Sequence, residues 1–246
     1  MYCTKYHALQ AKLCSLKAKL FTQEDYELLI KNPSTYKEFG LLNSHEIQKS
    51  SVQQEYSRLA MYIYVKPVRE FVKTLVKGLT SESMDLSYYL QIWKAANRLD
   101  KSENVIKMAL RRVIGTEADL HNIIWVYRLK RYYHLHDEAI YGYLLPIGYH
   151  LNPNSMEHLV EAKDTAALLA GVAATPYQDI FPNFNNPEQK VANAVLRAYR
   201  KEARSSPILD LCTYLYEKHL ESKNLFAIAE GLRLKLRYED IFNALL

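Results

Sequence analysis

The chain has 246 residues, 49% of them apolar, a net charge of +5, and only 7 Gly and 8 Pro. So few turn formers weigh against an all-β fold and for long helices around a sizeable core. The charge is too modest and diffuse to require nucleic acid: residues 1–80 carry 12 Lys/Arg against 7 Asp/Glu, and residues 81–246 carry 20 of each. The 20 Tyr against 7 Phe supply side chains with an apolar body and a polar tip, suited to half-exposed contact faces. Cys3, Cys14 and Cys212 contain no CxxC pair, which points away from a disulfide framework. No secretory leader is expected at the N-terminus, and no run of 18 apolar residues is present to span a bilayer.

Along the chain, Leu9, Leu13, Leu16 and Leu20 form an amphipathic stripe over residues 4–20. Thr22 reads as a helix cap with Asp25 three residues on, opening a helix that ends at Asn32-Pro33. Residues 34–50 are polar and read as containing a loop. A helical pattern over 52–79 is interrupted at Pro67, predicting a kink or two helices, with Gly78 as its end. Helices are expected over 86–99 and over 103–114, the latter stopped by Gly115 as a C-terminal cap. Thr116 would then cap the next helix, with Asp119 reaching back. The segment LHNIIWVYRLKRYY (120–133) is apolar almost all round and should be buried. Its cations Arg128, Lys130 and Arg131 have Glu117 and Asp119 as nearest local partners, unless their stems carry them to the surface. Later helices are expected to start at Ser155, Asn186-Pro187 and Ser206-Pro207. No convincing strand is visible.

An internal repeat stands out. The block from Asn122 through Arg128 and Lys130 to Glu138, Ile140 and Leu144 is echoed from Asn224 through Arg233 and Lys235 to Glu239, Ile241 and Leu245, with one residue of gap. Repeated units of this kind bury a face against their neighbours.

No phosphate-binding glycine loop, GxSxG or HExxH motif occurs. The nearest histidine pair, His134 and His136, would point its rings apart on a helix, and no metal site is expected. The acidic pairs Glu24-Asp25 and Glu239-Asp240 sit at helix starts, where the helix dipole explains them without catalysis.

The segment GTEADLHNIIWVYRLKRYYHLHDEAIYGYLLPIGYHL (115–151) resembles the central signature of the C-type subunit of vacuolar- and archaeal-type rotary ATPases, lettered d in eukaryotes. The matching residues are Glu117, Asp119, Leu120, Asn122, Trp125, Tyr127, Arg128, Lys130 and Leu145-Pro146. Residues 159–181, with Thr175 and Tyr177, resemble the next helix of that family. Residues 214–236, with Glu221 and Asn224, resemble its last repeat, and 6–30 its first two helices. His219 and Ser222 depart from the pattern, and 37–84 is short, so the first repeat is expected to be truncated.

The resemblance implies an all-α protein whose related helical bundles, 1–84, 85–181 and 182–246, form a funnel or wedge. It implies a rotor subunit with no catalytic residue and no cofactor, joining the central shaft to the proteolipid ring for ion transport. Its place would be peripheral, on the cytoplasmic face, touching the membrane only through its partners and binding no nucleic acid. Arg128, Lys130, Arg131, Tyr132, Arg233 and Lys235 are the candidate partner contacts. Two other readings of the residues stand beside it: a basic helical adaptor for nucleic acid or an acidic protein, and a helical enzyme with a site that no motif marks.

Overall fold

The computed structural model describes residues 6–32, 44–81 and 86–246, and among them every regular element is helical. The protein is all-α. Cys3 and the Asn32-Pro33 break fall at or beyond the edges of the described residues. The chain divides into two compact units, Met1–Ser83 with Tyr199–Leu246, and Met84–Ala198.

The first unit contains α1 (His7–Lys17), α2 (Gln23–Lys31), α3 (Ser44–Leu59) and α4 (Lys66–Leu79). The later segment adds the end of α10 (Pro187–Ala203), then α11 (Pro207–Arg233) and α12 (Tyr238–Asn243). The 27-residue α11 is the axis: α1, α2, α3, α4 and α12 all pack on it. A helix so surrounded must be apolar on most faces, and Leu209, Leu211, Cys212, Leu215, Leu220, Leu225 and Ile228 are all buried. Leu29 and Ile30 of α2 meet Leu225, Ile228, Ile241 and Leu245 in one apolar cluster.

The entry signals act as their chemistry requires. Thr22 and Asp25 form the expected reciprocal cap at α2, and Ser206 accepts from the Ile208 N–H ahead of Pro207 in α11. Pro67 lies in the first turn of α4, after extended Val65, so the 52–79 pattern is two helices separated by a short 3-10 turn at Ala60–Tyr62. Gly78 is the penultimate residue of α4, not its cap. Helix α3 begins inside the polar stretch that reads as a loop.

The second unit contains α5 (Leu86–Asn97), α6 (Asn104–Arg131), α7 (Asp137–Tyr141), α8 (Pro153–Val160), α9 (Thr165–Ala173) and the greater part of α10. Its axis is the 28-residue α6, against which α5, α8 and α9 pack. Contrary to expectation, Gly115 does not end a helix; α6 runs straight through it, and Thr116 caps nothing. A Cβ at Gly115 would lie 2.9 Å from Tyr149 Cβ and 3.0 Å from the Gly148 carbonyl carbon. The glycine is there because the 148–149 backbone lies against the helix surface, not because the helix must stop. Likewise α8 starts at Pro153, capped by the Asn152 side chain on the Ser155 N–H at 2.8 Å, two residues before the expected start.

This close approach fixes the sign of a mutational effect. Gly→Ala inside a helix normally stabilises by about 1 kcal/mol. At Gly115 the added methyl has no room, so Gly115→Ala should destabilise by roughly 1–3 kcal/mol. The urea midpoint should fall, whereas Gly142→Ala, whose Cβ would have 3.4 Å to the Ala139 carbonyl oxygen, should barely move it.

Candidate functional site

Most signature residues lie along α6 and on the loop facing it. Asp119 is fully buried, and its Oδ2 accepts four hydrogen bonds: from the backbone N–H of Tyr149 (3.1 Å), His150 (2.7 Å) and Leu151 (3.2 Å), and from the Tyr177 hydroxyl (2.6 Å). Three consecutive N–H groups aimed at one oxygen tie the backbone of 149–151 to α6. The other oxygen, Oδ1, is buried without a hydrogen bond, and a Cβ on Gly148 would collide with it. Burial pushes the Asp119 pKa above the usual carboxylate value, against the pull of Tyr177 and the three N–H groups. Burial and the adjacent carboxylate push the Tyr177 phenol up. Beside this knot is a cavity of about 530 Å³ whose walls include Asn122, Leu145, Pro146, Leu151 and Met156.

Three residues farther along α6, Asn122 forms a two-way clasp. Its Nδ2 donates to the Leu145 carbonyl at 3.0 Å, and its Oδ1 accepts from the Leu145 N–H at 2.8 Å. In the other unit, Asn224 on α11 does the same to Leu246, at 3.2 and 2.7 Å. The clasps span 23 and 22 residues, which is the repeat with its one-residue gap. The extra residue lies in the turn that closes the long helix. After α6, the Leu135 N–H donates to the Leu129 carbonyl; after α11, the Leu236 N–H donates to the Gly231 carbonyl. Both turns carry a residue at positive φ, His134 at 50° and Lys235 at 56°. His134 and His136 are thus in a turn, not on a helix face.

This register revises the pairing of the basic residues. Counted from the clasps, Arg131 stands with Arg233 and His134 with Lys235, so the pairs Arg128/Lys130 and Arg233/Lys235 are not equivalent. Nor do Glu117 and Asp119 neutralise the α6 cations. Arg128 pairs with Glu188 of α10, and Lys130 with Asp137 at 2.6 Å. Tyr127 stacks on Phe184, with ring centroids 3.9 Å apart, and meets Tyr132 edge-on. Arg131 and Tyr132 are exposed. In the first unit Arg233 is clasped by Glu230 at 2.7 and 2.9 Å, and Lys235 is exposed.

The remaining signature residues are also held in packing and bonding roles. Glu117 is buried and accepts from the Tyr89 hydroxyl at 3.3 Å. Trp125 packs on the cluster of Tyr89, Ala118 and Leu145. Glu221, which stands in register with Asp119, accepts from the Phe21 N–H at 2.9 Å and pairs with Lys218. The roles of Tyr89, Gly148, Phe21 and Glu188 are not legible in the sequence, because nothing local to them signals a partner so distant in the chain. Among the described residues no group of three His, Cys, Asp or Glu side chains is placed to hold a metal ion, and no helix is long and apolar enough to cross a membrane.

Two helical units, each an axis helix clasped to the segment after a short helix, define a helical-repeat protein. Comparison with known proteins gives the family: the family model of the ATP synthase (C/AC39) subunit matches residues 36–244, and the chain belongs to that family. A curated relative, the C subunit of the A-type ATP synthase of Methanobrevibacter smithii, is 28% identical over 167 residues. That alignment covers 63% of this chain and 43% of the relative, so the chain spans under half of the relative's length there.

The clasps, and His219 in register with Glu117, can each be probed by substitution. Asn122→Ala leaves a buried N–H and C=O of Leu145 unpaired and should cost about 2–4 kcal/mol by denaturant unfolding. Asn224→Ala should cost less, because Leu246 is partly exposed and water can replace the amide. Burial, then the Lys223 charge, depresses the His219 pKa to about 3, against a hydrogen bond with the Leu79 backbone. The unfolded chain, titrating near the ordinary value, therefore binds the extra proton as pH falls. The contribution of His219 to stability is complete above about pH 6.5, and stability should drop by about 2 kcal/mol between pH 7 and 5. His219→Gln should flatten that slope in urea midpoints measured across the same range.

Proposed function

We propose that this chain is a non-catalytic subunit of an A/V-type rotary ATPase that couples the central shaft to the membrane proteolipid ring. Family membership across residues 36–244 is the observation that carries this reading. The build of the units supports it physically. Transmitting torque requires parts that deform little, and each unit has one long helix surrounded by packed helices and tied by a buried side-chain amide. A closely packed interior of this kind has low compressibility and passes strain on. The signature carboxylates accept structural hydrogen bonds from backbone and tyrosine, and the acidic pairs Glu24-Asp25 and Glu239-Asp240 occupy first helical turns. In this reading residues 1–84 stand for a shortened first repeat, and the chain sits peripherally on the cytoplasmic face, held there by its partners.

The test is affinity purification of the tagged chain from detergent-solubilised membranes of its own cells, followed by mass spectrometry. Shaft and ring subunits should co-purify in stoichiometric amounts. Recovery of the chain without either would overturn the reading.

A further inference from the structure

At the C-terminal end of α6 the second unit has a pocket of about 300 Å³, lined in part by the signature residues Tyr127 and Lys130. Tyr127, Leu135 and Leu168 are the apolar residues of a lining that is otherwise polar, with His134 and Thr165 among the rest, and Leu168 is buried. Arg131, Lys163 and Lys130 bring three cations to its walls. Lys130 is neutralised by Asp137. Asp164, also in the wall, has its Oδ1 committed to capping α9 through the Ala167 N–H at 2.8 Å. Arg131 and Lys163 are exposed and have no ion-pair partner among the described residues. The repeat supplies an internal control. At the position in register with Arg131, Arg233 is held by Glu230, so an arginine at this point of the repeat is readily neutralised from its own helix. Beside Arg131 the residue in register with Glu230 is Arg128, which cannot do this and is itself paired to Glu188.

We infer that this pocket docks an acidic, apolar-bearing segment of a partner protein. One of its carboxylates would sit at Arg131 and Lys163 while a neighbouring apolar side chain covers Tyr127, Leu135 and Leu168. Charge complementarity selects the carboxylate, and the three apolar residues of the lining give a side chain beside it something to pack on. A flat anionic bilayer fits less well: lipid surfaces are bound by clusters of four or more basic residues, and with Lys130 paired to Asp137 only Arg131 and Lys163 remain as Lys or Arg without an ion pair in this lining. The inference rests on the coupling reading only for the partner's identity, since a shaft or ring subunit would carry the segment.

The test uses the full chain and a fluorescent amphipathic peptide of alternating Glu and Leu turns. Anisotropy titrations should show saturable binding that weakens with salt. Arg131→Glu with Lys163→Glu should lower affinity at least about tenfold, and the same variant should gain affinity for a Lys/Leu peptide. Arg131→Gln with Lys163→Gln, which only removes charge, should give an intermediate loss. Both positions are exposed, and unchanged circular dichroism and urea midpoints check that the variants are folded. No binding of the Glu/Leu peptide by the unaltered chain, or equal binding by the charge-reversed chain, would overturn the inference. So would flotation with phosphatidylglycerol vesicles that the peptide does not compete away. The peptide readout does not depend on co-purification of shaft and ring, so either proposal can fail alone.

Discussion

The amide of Asn122 bonds both backbone groups of Leu145, and the rest of the second unit is arranged around that closure. An amide side chain carries a donor and an acceptor side by side, so it can donate to a carbonyl and accept from an N–H of the same residue. Buried at the middle of a long helix, it fixes where the chain must return after α7. Asn224 and Leu246 repeat the device in the other unit, with one residue fewer in the intervening turn. That a one-residue change is absorbed in the helix-closing turn is physically sensible. There the backbone already leaves helical geometry and visits positive φ, at His134 and Lys235, so a longer or shorter loop costs little. Removing a residue inside either axis helix would instead rotate every later side chain by about 100° around the axis.

With the return point set, Asp119 and Gly115 govern how closely the following loop can approach. Four donors converge on one carboxylate oxygen, and two glycines, Gly115 and Gly148, remove the Cβ atoms that would keep helix and loop apart. The first unit meets a related need differently. Glu221, one methylene longer, reaches the Phe21 N–H between α1 and α2. The same position in the repeat thus carries a carboxylate that serves a backbone donor in both units, but the donors come from different parts of the chain.

The cations at the ends of the axis helices divide into those tied down and those left free. Arg128, Lys130 and Arg233 are held by Glu188, Asp137 and Glu230 and so brace the fold's own surface. Arg131 and Lys235 reach solvent, as does Lys163 between α8 and α9. Surface ion pairs of this kind add little stability, with a median of about 0–1 kcal/mol, so their larger effect is to decide which charges remain for a partner.

The sequence alone determined the helical class, the helix starts at Thr22, Pro187 and Ser206, and the repeat with its gap. These rest on local chemistry: side-chain period, cap oxygens within three residues, proline geometry, and like residues at like spacing. It also marked Asp119, Asn122 and Asn224 as special, though not why. Only the tertiary structure decided that Gly115 lies inside a helix, that Glu188 and not Glu117 answers Arg128, and that Asn122 closes on Leu145. A glycine reads as a stop when its neighbours in space are unknown, since the sequence carries no record of the Gly148–Tyr149 backbone resting against it. The partner of a buried charge is likewise whichever opposite charge the packing brings near, and for Arg128 that residue lies 60 positions away along the chain.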